Sequence, residues 1–172
     1  MSMSRALIPS LEIGLNALSA ILDKAQAYAD AKRFDSAVLL GTRLFPDMFP
    51  LSRQVQIACD LAKIGGARLA GVDFPKYEDN EKTIAELKDR IAKTLAFVRT
   101  LDGGKIDGAG DREITFPLGP EHKGQMRGAD YLNHFLLPNF YFHLSTAYAI
   151  LRHSGLELGK SDFLAGIPMK VS

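Results

Sequence analysis

Asn139 and His143 lie one helical turn apart inside the apolar stretch from Asp130 to Gly155, DYLNHFLLPNFYFHLSTAYAILRHSG. At about a hundred degrees per residue, Leu132, Leu136, Asn139, His143, Ala147 and Ile150 share one helical face. An amide and an imidazole on such a face either bond partners on facing helices or hold a ligand, since an unpaired buried polar group costs about 1–3 kcal/mol. Gln54 interrupts a second apolar stripe, earlier in the chain, in the same way.

The other histidines are expected to play different parts. His134 stands nine residues before His143, half a turn round the helix, which points to the surface or a subunit contact. His153 falls in the last turn, where a partly positive imidazole suits the helix dipole, and His122 falls in a connection. The chain has no Gly-x-Ser-x-Gly, no P-loop and no metalloprotease motif, so no catalytic residue is assigned. Asp47, in PDMFP, suits a turn better than a ligand. The single Cys59 has apolar helical neighbours in Val55 and Ala62 and reads as a small core filler.

With 21 Lys plus Arg against 20 Asp plus Glu, and no dense basic run, the chain lacks the electrostatic footprint of a nucleic-acid binder. The N-terminal MSMSRALIPSLEIGLNALSAI is interrupted by Glu12 and Asn16 and is followed by no A-x-A cleavage pattern. No continuous apolar run reaches the roughly 18 residues of a membrane span. A cytoplasmic protein with no membrane partner is the expectation.

Four amphipathic helices must position these side chains. Leu11, Leu15, Leu18, Leu22, Ala25 and Ala29 set a first helix over 10–33. A short turn opens at Asp35, and Pro46 and Pro50 then interrupt regular structure. Leu51, Val55, Ala58, Leu61, Ala62 and Leu69 set the second helix over 51–69, with Gly65 and Gly66 marking a close approach or a bend. Ile84, Leu87, Ile91, Leu95, Val98 and Leu101 set the third. REITFPL alternates apolar and polar before GPE and HKGQMRG, which predicts a small β-hairpin or irregular connection before the last long helix. That helix runs from 129 or 130 to His153, with a kink or a fresh start at Pro138. The tail is expected to pack across the bundle through Phe163 and Leu164. The fold class is therefore all-α, a four-helix bundle forming a single domain over 1–172.

PDMFP at Pro46 to Pro50, RLAG at Arg68 to Gly71, LPNFYFHLSTAYAILRHSG at Leu137 to Gly155 and GKSDFLAG in the tail together make the chain similar to the DinB/YfiT-like superfamily of four-helix bundles, in a branch labelled a domain of unknown function. The resemblance implies a three-histidine metal site, one ligand from the second helix and two from a His-x-x-x-His pair on the fourth. His143 matches the second histidine of that pair, Asn139 takes the place of the first, and Gln54 substitutes for the second-helix ligand on stripe position. Amide oxygens are poor donors for zinc or nickel, so the favoured expectation is a degenerate internal polar site without a tightly bound metal. Such a bundle binds a small molecule or serves a structural role. The alternative is a metal-dependent enzyme, a thiol-dependent transferase or hydrolase holding Zn, Ni or Fe through His143. The resemblance also implies a homodimer. Tyr131, Phe135, Phe140, Tyr141, Phe142 and Tyr148 are expected to pack against neighbouring helices or a second subunit.

Overall fold

Ser2 opens the first helix, its hydroxyl accepting the Arg5 N–H at 3.4 Å, and α1 then runs Met3–Lys32 in a computed structural model that describes residues 2–119 and 121–168. The helix begins a full two turns before the expected start at Ser10, because Pro9 is accommodated inside it. Proline there removes the donor for the Arg5 carbonyl, and both residues are exposed, so water can serve that group. Arg33, at φ 59°, ends α1 in the left-handed conformation.

The Asp35 carboxylate accepts the Ala37 N–H at 2.9 Å and starts the short α2, Ala37–Gly41. Arg43 then gathers the PDMFP loop by donating to the carbonyls of Pro46 and Met48 at 3.3 and 3.1 Å. After Pro50 comes α3, Leu51–Asp60, followed by a π turn over Leu61–Gly65 and by α4, Gly66–Ala70. Gly71 stops α4 at φ 67°, a value that suits glycine. A polar strap over 72–83 leads to α5, Ile84–Val98, which Thr83 and Glu86 cap reciprocally.

Asp102 caps α6, Gly103–Asp107. β1, Glu113–Leu118, and β2, His122–Arg127, form the antiparallel hairpin, with Ile114 opposite Met126 and Phe116 opposite Gly124. α7, Gly128–Asp130, a second π turn over Tyr131–Leu136 and α8, Leu137–His153, follow without interruption, and α9, Lys160–Phe163, lies in the tail. Pro138 falls at the start of α8, but Leu136 before it keeps helical angles, φ −66° and ψ −59°, so the run continues through the proline directly behind a π turn and the expected break is not realised. Phe163 packs against the core, whereas Leu164 is 37% exposed.

α1 lies against α5 and α8, and α3 lies against α8 and α5, which makes a four-helix bundle with the hairpin at one end. Leu11, Leu18, Val55, Leu87, Phe140 and Ala147 are among the residues of its continuous core. α1 is long and apolar enough, by length and composition, to cross a membrane; here its apolar stripe is the bundle's interior wall. The two π turns touch one another, and a Cβ on Gly65 would overlap the Leu136 side chain, with Cδ2 at 2.7 Å. Gly65 therefore marks a close approach of the two site-bearing helices.

Candidate functional site

α3 and α8 bring Gln54 and His143 together across the bundle. The His143 Nδ1 and the Gln54 Oε1 lie 2.7 Å apart, and both side chains are buried, at 9% and 2% exposure. The Gln54 Nε2 donates to the Phe49 carbonyl at 3.1 Å. This second bond fixes the first: a carbonyl only accepts, so the amide must turn its NH2 to Phe49 and its oxygen to the ring. His143 Nδ1 then carries the proton and donates it, which leaves Nε2 as an unprotonated acceptor.

No described group bonds Nε2. The one buried side-chain nitrogen or oxygen without a partner among the described residues is Arg90 Nε, so His143 Nε2 keeps some access to solvent. Burial pushes the His143 pKa below its ordinary 6.5, and the charge of Arg53 adds to that effect. At neutral pH the ring is thus a neutral base with a fixed tautomer, held by its other nitrogen as orienting partners hold ligating histidines. The Phe142 ring meets it edge-on at 5.2 Å between centroids. Phe142 and Phe49 are 57% and 54% exposed.

Asn139 does not enter this pair. Its Nδ2 donates to the Phe135 carbonyl at 2.7 Å, one turn back on its own helix. The expected cluster of three is therefore a bonded pair, Gln54 with His143, and a separate Asn139. The three-ligand metal site implied by the resemblance does not fit these residues: Gln54 has committed both ends of its amide, Asn139 one end, and a single imidazole nitrogen is left. No group of three or more His, Cys, Asp or Glu able to hold a metal ion occurs among the described residues. His134 is exposed and lies 3.9 Å from Asp130, while His122, His153 and Asp47 are also exposed. Cys59 is buried, and burial pushes its thiol up to about 12, which leaves it unreactive.

A second polar cluster, with no counterpart in the sequence reading, lies under the strap. Arg90 on α5, 3% exposed, pairs with Asp60 at 3.0 Å, Asp79 at 2.9 Å and Glu81 at 2.9 Å, and also donates to the Glu78 carbonyl. Lys63, 2% exposed, pairs with Asp60 at 3.1 Å and stands 3.7 Å over the Tyr77 ring. Arg53 bonds Asp79, and Gln56 bonds Glu81. Burial opposes charge at Arg90, but the bond to Glu81 and the Asp60 and Glu81 charges outweigh it and hold its pKa above the ordinary value. The signal was present in the chain: Arg90 lies between Leu87 and Ile91 on the inward face of α5.

The bundle, the hairpin before its last long helix and the polar pair between its second and fourth long helices define a four-helix-bundle protein with a small β-hairpin and an internal polar pair. Residues 3–164 match the family model described as "Domain of unknown function (DUF1993)", and the chain belongs to that family. A crystal structure of a DinB family member protein from Shewanella denitrificans is 41% identical, with a TM-score of 0.90, and the match covers 98% of this chain and 95% of that one. No curated protein matches.

Proposed function

We propose that this DinB-family bundle binds a small protic molecule at His143, which accepts a hydrogen bond at Nε2, without a tightly held metal. The observation that supports this reading is the relay from the Phe49 carbonyl through Gln54 to His143 Nδ1, which holds a neutral ring with its basic nitrogen free. A purely structural histidine gains stability by bonding both nitrogens, whereas this one leaves Nε2 unmet. The exposed Phe142 ring, edge-on to the imidazole, supplies an apolar wall for a ligand beside a polar acceptor. A homodimer belongs to the same proposal and is checked by the mass in solution.

Long-range proton–nitrogen NMR of the histidine ring, with phenol and 2-mercaptoethanol as probes, tests the site. The expected result is an Nδ1–H tautomer in the free protein, and a saturable shift of Nε2 with one of the probes that Gln54→Leu weakens. An Nε2–H tautomer, or no saturable shift with either probe, overturns the proposal. So does about one zinc, nickel or iron per chain in protein purified without chelators, lost on His143→Ala.

A further inference from the structure

A cavity of about 200 Å³ lies between α1, α8 and the C-terminal segment, away from His143, which is not part of its wall. Ala17 on α1, Leu144 on α8 and Phe163 on α9 line it, together with half-exposed Tyr141 and Ile167. The helices cannot close on it, because Gly14 already meets Phe140 and Leu144 as tightly as a residue without Cβ allows, with a Cβ there falling 2.8 and 2.6 Å from them. The segment forming its outer wall is fastened by the Lys24–Asp162 ion pair at 2.6 Å and by Phe163 packing edge-on to Tyr148 at 5.9 Å.

Two hydroxyl-bearing side chains, Ser10 and Tyr141, are among the residues lining this otherwise apolar space. Ser10 does not bond back to its own helix as Thr94, Thr146 and Ser154 do, and neither Ser10 nor the Tyr141 hydroxyl bonds any described group. Among the described residues no charged side chain lines the cavity. We infer that the cavity is a binding site for a small neutral alcohol or phenol whose ring or short chain fills the apolar space and whose hydroxyl meets Ser10 and Tyr141. Size excludes larger occupants: a dry cavity of about 150 Å³ takes up benzene, whereas a helix is about 10–12 Å across. The described wall offers no charge to pair with a carboxylate or ammonium head group, which would lose its hydration without compensation there.

The test is calorimetric titration of the full chain with p-cresol, toluene and benzoate. p-Cresol should bind saturably, toluene about 3- to 10-fold more weakly for want of the hydroxyl, and benzoate not at all. In a His143→Leu background, which removes the other phenol acceptor, Ala17→Leu fills the cavity from α1 and should abolish p-cresol binding while the melting temperature holds or rises relative to His143→Leu alone. Should that variant fail to fold, Ser10→Ala with Tyr141→Phe in the same background must bring p-cresol down to the affinity of toluene and leave toluene unchanged. No saturable p-cresol binding, or binding undiminished in these variants, overturns the inference. A dimer that Ile167→Asp dissolves, with no p-cresol bound by the resulting monomer, assigns the face to a second copy and overturns it equally.

Discussion

At His143 the burial that keeps the ring neutral also gives the protein a pH signature. Its folded pKa lies below 6.5, so as pH falls below that value the unfolded chain takes up a proton that the folded ring resists. Stability from this residue is therefore complete above the unfolded pKa and is lost as pH falls towards the folded one. Thermal melts at intervals between about pH 8 and pH 5 should show this loss in the wild type and a shallower slope in His143→Leu. Equal slopes in the two proteins would remove the buried neutral ring from the account. Gln54→Glu should act the other way: a carboxylate in place of the amide favours the imidazolium, and ring titration by NMR should show a raised pKa. Gln54 and His143 were legible from stripe position alone, because each is the polar member of an apolar face. Asn139 occupied the equivalent position, yet its partner is decided locally, by a carbonyl one turn back that no side-chain pattern reveals.

The elements carry two departures from regular geometry, and each makes a prediction. Gly65 lies at the end of the first π turn, where Leu136 of the second fills the space a Cβ would need. Gly65→Ala gains about 1 kcal/mol of helix propensity but should lose about 1–3 kcal/mol to overpacking, a net destabilisation in urea. Leu136→Ala makes room for the methyl group, so the double mutant should be more stable than the sum of the single changes predicts. Gly41→Ala, where no atom lies within 4 Å of the added carbon, is the control and should be neutral or slightly stabilising. The glycine pair was readable as a close approach; the π turns were not, because they follow from the fit between two helices rather than from either one.

The strap is the second departure. Its composition reads as loop, but Tyr77, Asp79 and Glu81 are tied to α3, the first π turn and α5 through Lys63 and Arg90. Arg90→Met keeps the length of the side chain and removes the charge that Asp60, Asp79 and Glu81 surround. It should destabilise the protein by about 3–5 kcal/mol, since breaking a buried pair leaves charges without compensation, and it should make 72–83 the first site of protease cleavage. Resistance equal to wild type would show the network to be incidental to the strap's position. Sequence pattern finds the stripe of one helix at a time, and this cluster draws on four separate segments, which is why it was missed.

At the scale of the whole molecule, the hairpin joins the bundle's core rather than hanging from it. Ile114 and Phe116 point inward, and Phe116 lies 4.3 Å from Phe135 and 5.1 Å from Tyr131 between ring centroids. Gly124, opposite it, leaves room for the ring, and a Cβ there would fall 2.7 Å from Phe116 Cζ. Gly128 joins the hairpin to the last long helix with its N–H on the Arg112 carbonyl at 2.9 Å. Four helices and a hairpin were legible because their apolar spacing is regular; the start of α1 was not, since a proline ordinarily ends a helical pattern and here is carried within one. The consequence is cooperative. Phe116→Ala should cost about 3–5 kcal/mol and lower the transition of the entire chain, because the ring it removes is packed on the helix that carries His143. Leu118→Ala, at a side chain 47% exposed on the same strand, should change stability by less than about 0.5 kcal/mol. Helix content followed by circular dichroism and tyrosine fluorescence, which reports Tyr131 among others in a chain without tryptophan, should then shift together in Phe116→Ala. Separate transitions, with the helices melting at the wild-type midpoint, would make the hairpin an independent unit.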